Sequence, residues 1–173
     1  MFFRIFITLT FLLLSIARGE EYILFISLDG FRYDYTENVN TPNLDYIESI
    51  GVKANSLVPV FPSLTFPNHF SMATGCYPEK HGLIGNSFFS KRLDMLYKIS
   101  DRDAVENKNF YLSEPIWNTV QHHGKKSATY FWVGSEAPIN DIFPNYYKRY
   151  DKSTSYQSRI DTMMFWFSLP DET

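Results

Sequence analysis

Thr65 opens a helix-like run, Phe66 to Thr74, and Gly75 closes it. The first backbone N–H groups of a helix have no acceptor inside it, and the helix dipole adds partial positive charge there. An anion would dock at that end, and an alkoxide forming on Thr65 would be stabilised by it. Pro67 suits a first helical turn, where its missing N–H costs nothing. The same threonine would serve equally as an ordinary helix cap. Asp29, in the string SLDGF, follows the apolar run Tyr22–Leu28 and is a hard oxygen donor at a place where open α/β sheets put their ligand sites.

The strings around these residues narrow the choice. TFPNH at 65–69, GCYPEKHG at 75–82 and SLDGF at 27–31 stand together with EPIWNT, YFWVGSEAPI, IFPNYYKRY and FWFSLPDE in one order. In this the chain resembles the nucleotide pyrophosphatase/phosphodiesterase family of the alkaline phosphatase superfamily over nearly all of its length after the leader. The resemblance implies a mostly parallel α/β sheet with helices on both faces, here incomplete. It implies an exported hydrolase of nucleotide phosphodiester or pyrophosphate bonds, acting through a phosphothreonine intermediate on Thr65. It also implies a two-zinc site touched by Asp29 and Thr65, and Asn86 beside a non-bridging phosphoryl oxygen together with the backbone N–H of Phe66. Phe66, Trp132 and Tyr150 match positions that line the family's nucleotide pocket, and Glu136 could face the same pocket. Without the resemblance, Asn86 would read as a turn residue and the aromatics as core.

Three departures stand out. Leu64 and Val133 replace a lysine and a proline common in animal members, and no secure counterpart exists for the family's nucleotide-facing lysine in the segment 100–107. The family's further zinc ligands lie in an EPDxxGH-like stretch, a DHG-like stretch and a later histidine, and these strings are not found up to Thr173. The expectation is therefore the N-terminal part of a catalytic domain over 20–173, inactive by itself. A non-catalytic nucleotide-binding fragment and a phosphomonoesterase of the same superfamily are the alternatives.

The elements that must position these residues follow from pattern. Tyr22–Leu28 and Val52–Val60 read as buried strands and Ser127–Val133 as another. Thr41-Pro42 starts a helix whose Leu44, Ile47 and Ile50 share a face before Gly51. Asn86–Ile99 reads as a strand or hairpin, 101–108 as a charged exposed loop, and Pro115–His123 as a helix with Ser113 as a possible cap. Ser155–Leu169 is the clearest helix, with Ile160, Met163, Met164 and Phe167 spaced as a core-facing stripe. Asn68, His69 and His81 read as local hydrogen-bonding supports rather than ligands. His122 and His123, near a helix end, complement its dipole.

Composition sets the outer bounds. At 173 residues with 45% hydrophobic and 20% charged residues, the chain is long enough for a core of its own. A net charge of −3 and no basic stripe argue against a nucleic-acid scaffold. Sixteen Phe, twelve Tyr and three Trp suit aromatic walls. Arg4, the apolar run Ile5–Ile16 and the small residues of Ala17-Arg18-Gly19 read as a signal peptide over 1–19. The mature chain is then secreted or periplasmic, with no membrane span. A retained anchor is the rival, but the run is shorter than a bilayer requires. Cys76 is the sole cysteine, so no disulfide forms within the chain, and no N-x-S/T acceptor occurs.

Overall fold

The computed structural model describes residues 22–170. The expected leader lies outside them. Two compact units divide the chain, one ending at Thr41 and the other beginning at Pro42. In the first, residues 22–28 run without regular structure into a turn at Asp29-Gly30, where Phe31 N–H donates to Leu28 O at 3.2 Å. A single helical turn, α1 (Tyr35–Asn38), follows.

The second unit begins with α2 (Pro42–Ile50) and reaches α3 (Thr65–Thr74), which ends on Gly75 in the left-handed conformation. Glycine reaches that conformation without a Cβ penalty, and its N–H there donates to Ser71 O at 2.8 Å. A one-turn helix, α4 (Pro78–His81), leads to the antiparallel hairpin β1 (Ser87–Ser90) and β2 (Met95–Lys98), with Phe88 opposite Tyr97. Then come α5 (Arg102–Glu106), α6 (Ile116–His122), β3 (Ala128–Tyr130), β4 (Tyr146–Lys148) and α7 (Tyr156–Phe167). β3 and β4 pair in parallel, Ala128 opposite Tyr146.

Aromatic rings form the centre of the core. Phe70 on α3 meets Tyr111 edge-on at 5.2 Å, Tyr97 stacks on Phe88 at 5.1 Å, and Phe110 meets Tyr97 edge-on at 5.0 Å. Edge-on and offset rings place the positive rim of one against the negative face of another, which adds to the area each buries. Leu83, Trp117, Ala137 and Ile139 are buried with them. The phenols inside it are paired: Tyr111 donates to Val105 O at 2.6 Å and lies 3.3 Å from the Tyr97 hydroxyl. Burial pushes both phenols well above their ordinary value, so both stay protonated. Gly134 belongs to this packing. It has φ +87°, and a Cβ there would fall 2.9 Å from Phe70 Cε2.

Four expectations need correction. Residues 22–28 and 52–60 form no strand: an apolar run becomes a strand only where another strand pairs with its backbone, and among the described residues neither run joins a ladder. Segment 101–108 is not a plain exposed loop. Asp101 accepts from the N–H groups of Asp103 and Ala104 and so caps α5, which buries Ala104 and Val105. Pro115, not Ser113, stands at the start of α6. The stripe on α7 is real as a helix signal but not as core: Ile160, Met164 and Phe167 are all exposed. That helix touches β3 and β4 through Trp166, whose ring lies 5.7 Å from Tyr130 and 6.3 Å from Tyr146.

Candidate active site at the start of α3

α3 begins on the residue the sequence singled out, but Thr65 is the first helical residue and Leu64 takes the cap position, making no side-chain cap bond. The segment entering the helix is held by Asn68. Its Oδ1 accepts from Val60 N–H at 2.8 Å, and its amide group donates to Pro62 O and Leu64 O, each at 2.9 Å. One side chain thus ties down the backbone on the way into Thr65. His69 supports the same turn, its Nδ1 donating to Thr65 O at 2.8 Å. Because a carbonyl can only accept, that contact places the proton on Nδ1.

Phe66 N–H, one of the donors a helix start leaves over, donates to Asn86 Oδ1 at 3.0 Å. The donor is a backbone amide, so the atom facing it must be the oxygen, and the Asn86 NH₂ group points elsewhere. Thr65, the Phe66 amide and the Asn86 carboxamide are therefore gathered at one helix N-terminus, with Pro67 removing another donor. Phe66 itself is half-buried, its ring 6.2 Å from Tyr97.

Trp132 is attached to α3 directly: its indole N–H donates to His69 O at 3.1 Å and its ring meets the His69 imidazole edge-on at 5.7 Å. Tyr150 is 57% exposed, with its ring 5.2 Å from Phe131. Glu136 is buried and its carboxylate is already engaged, by Arg102 and by Tyr150 N–H at 3.1 Å. Burial opposes the charge on Arg102, but Glu136 and Glu106 outweigh it and hold the guanidinium above its ordinary value. Sequence reading missed this pairing. Arg102 and Glu136 lie far apart in sequence and share no periodicity, so no local signal marks it.

Asp29 belongs to the first unit, in the turn after residue 28. Among the described residues no three of His, Cys, Asp or Glu gather to hold a metal ion. The described residues therefore do not make up a complete zinc centre.

His81 is a structural residue, as expected. It is fully buried, with Nε2 2.9 Å from Ser71 Oγ. Leu83 N–H donates to its Nδ1 at 3.2 Å, so Nδ1 is bare and Nε2 carries the proton. Burial lowers its pKa from the ordinary 6.5, against the pull of backbone carbonyls and Glu79. The unfolded chain then binds more protons at acid pH than the folded one. The stability His81 contributes is present above pH 6.5 and is lost as pH falls toward the lower folded value. Thermal midpoints should drop on acidification from about pH 7 to about pH 5, and drop less in His81→Gln, which cannot titrate. Equal slopes in the two proteins would contradict this.

The whole is an α/β chain in which one helix N-terminus gathers a hydroxyl, a backbone N–H and a carboxamide. It belongs to the family described as type I phosphodiesterase / nucleotide pyrophosphatase, whose profile matches residues 23–173. Ectonucleotide pyrophosphatase/phosphodiesterase family member 3 of Bos taurus is 39% identical over 150 residues, covering 86% of this chain and 17% of that protein. Venom phosphodiesterase CdcPDE of Crotalus durissus collilineatus is 39% identical over 150 residues, covering 86% and 18%. Among solved structures, murine ectonucleotide pyrophosphatase/phosphodiesterase 5, as an inactive form in complex with AMP, superposes with a TM-score of 0.84. That pair is 35% identical, over 88% of this chain and 41% of that one. The fold is thus the alkaline-phosphatase-like α/β fold in part, and the chain spans less than a fifth of the curated relatives' length.

Proposed function

We propose that the protein of which these residues are part is an extracytoplasmic hydrolase of phosphodiester or pyrophosphate bonds in nucleotides, with Thr65 as nucleophile. The observation that carries this reading is the hydrogen bond between Phe66 N–H and Asn86, made at the helix start that Thr65 opens. In this reading the Thr65 oxygen attacks phosphorus as the bond to the leaving oxygen breaks, and water then cleaves the phosphothreonine and restores the hydroxyl. The helix N-terminus stabilises negative charge on the attacking oxygen, while the Asn86 NH₂ group faces a non-bridging oxygen, oriented by the Phe66 N–H that bonds its Oδ1. Phe66, Trp132 and Tyr150 supply the aromatic surface for the base. Family membership, a relative named as a venom enzyme and a solved relative in complex with AMP support substrate class and location.

Zinc is proposed for the whole protein, with Asp29 and Thr65 as this chain's contribution. When bound, zinc supplies Lewis-acid stabilisation of the reacting oxygens. Residues 20–173 are proposed to be the N-terminal part of the catalytic domain, and the 173-residue chain alone to be inactive. Two carboxylate or hydroxyl donors fall short of the three or four that hold zinc firmly. Among the described residues no helix is long and apolar enough to cross a membrane.

The test is turnover by the natural protein of the para-nitrophenyl ester of thymidine monophosphate against para-nitrophenyl phosphate, before and after chelation. Preference for the diester, abolished by chelator and restored by zinc, is expected. Preference for the monoester would favour a phosphomonoesterase, and no turnover of either would favour a binding protein. Zinc-dependent turnover by the 173-residue chain would overturn its proposed inactivity.

A further inference from the structure

The charges that meet at Glu136 have no part in the chemistry assigned above, yet they form a connected network across the second unit. Glu136 is 6% exposed. Arg102 reaches it with both terminal nitrogens, Nη1 lying 3.4 Å from Oε1 and Nη2 bonding Oε2. Arg102 Nη2 also bonds Glu106 Oε1 at 2.9 Å, and Glu106 Oε2 pairs with Arg149 at 3.1 Å. Glu136 also accepts from a backbone group, Tyr150 N–H, which donates to its Oε2 at 3.1 Å. Two consecutive residues, Arg149 and Tyr150, are thereby fastened to α5 and to the 132–137 loop. Tyr150 itself keeps an exposed ring, set edge-on to Phe131.

A guanidinium fork and a backbone amide take up the oxygens of this buried carboxylate. It therefore has little capacity left to greet a substrate. A network of this kind fixes geometry more than it adds stability. What it fixes here is the backbone that carries the Tyr150 ring.

We infer that Arg102 is a positioning residue for substrate recognition: through Glu136 it sets the Tyr150 backbone so that the tyrosine ring presents a face on which a nucleotide base stacks. This rests on the functional reading above. Glu136 then acts through Tyr150 and does not contact the base.

The experiment compares kcat/KM of the natural protein for the thymidine monophosphate para-nitrophenyl ester and for methyl para-nitrophenyl phosphate, which has the diester but no base. In Arg102→Gln the ratio of the two should fall roughly five- to tenfold, through KM, toward the low end of what one stacked base is worth. Tyr150→Ala should lower the ratio similarly, and the double variant should lower it no further, since both changes remove one interaction. If Arg102→Gln does not fold, Arg102→Lys, which keeps a positive charge beside Glu136 but loses the two-nitrogen fork, carries the same comparison. Equal losses on both substrates, an unchanged ratio in Tyr150→Ala, or additive effects in the double variant would overturn the inference. A wild type that turns over neither ester would instead remove the functional reading beneath it.

Discussion

Thr65→Ala is expected to abolish turnover of nucleotide diesters in the natural protein while leaving α3 formed. The two halves of this result have separate causes. Loss of activity follows if the hydroxyl oxygen is the atom that bonds to phosphorus, because alanine offers no replacement nucleophile and the helix N-terminus has no alkoxide to stabilise. Retention of the helix follows from the position Thr65 holds. Leu64 stands at the cap and makes no side-chain cap bond, and alanine is a strong helix former, so the change should cost at most about 1 kcal/mol. Entry into the helix is in any case secured by Asn68, which bonds the backbone of Val60, Pro62 and Leu64. Thr65→Ser keeps the oxygen and should keep part of the activity. The measurement is single-turnover hydrolysis beside a thermal melt. Wild-type rates in Thr65→Ala would show that another group attacks. A collapsed melting temperature would show that the threonine is there for structure.

How far the site was legible depends on how local its determinants are. The start and end of α3 were readable because threonine, a first-turn proline and a terminal glycine each act within one turn of themselves. The roles of Asn68 and His69 followed for the same reason, since both bond backbone within eight residues. Strands at 22–28 and 52–60 were misread because strandedness is a property of pairs. An apolar run fixes which chains of side chains are water-avoiding, not which neighbour will accept the backbone hydrogen bonds. The α7 stripe failed similarly: Ile160, Met164 and Phe167 have the period of a helix but stay exposed, while Trp166 packs against Tyr130 of β3. Asp101 shows the opposite error. A run of charges suggested a solvated loop, whereas the first of them caps a turn that buries Ala104 and Val105. Arg102 and Glu136 were out of reach altogether, because a long-range ion pair leaves no mark in the pattern around either residue.

Asn86→Ala should lower turnover roughly 100- to 1000-fold, the usual consequence of removing a donor to a charged oxygen in the transition state. The geometry says more than the magnitude does. In the structure Asn86 Oδ1 is occupied by Phe66 N–H, so any bond from Asn86 to substrate must come from its NH₂ group. Asn86→Asp separates the two faces of the side chain. A carboxylate still accepts from Phe66 N–H and so preserves the contact that ties β1 to the start of α3. It has no donor to offer, however, and its charge opposes a phosphoryl oxygen. Asn86→Asp is therefore expected to melt near the wild-type temperature and to be at least as slow as Asn86→Ala. The alanine variant should be slightly less stable than either, by about 1 kcal/mol, because it leaves a helix-start N–H without its acceptor. If Asn86 were only a brace for the helix, the order would reverse: aspartate would restore activity along with the hydrogen bond. Rates and melting temperatures of the three proteins, measured side by side, decide between these orders.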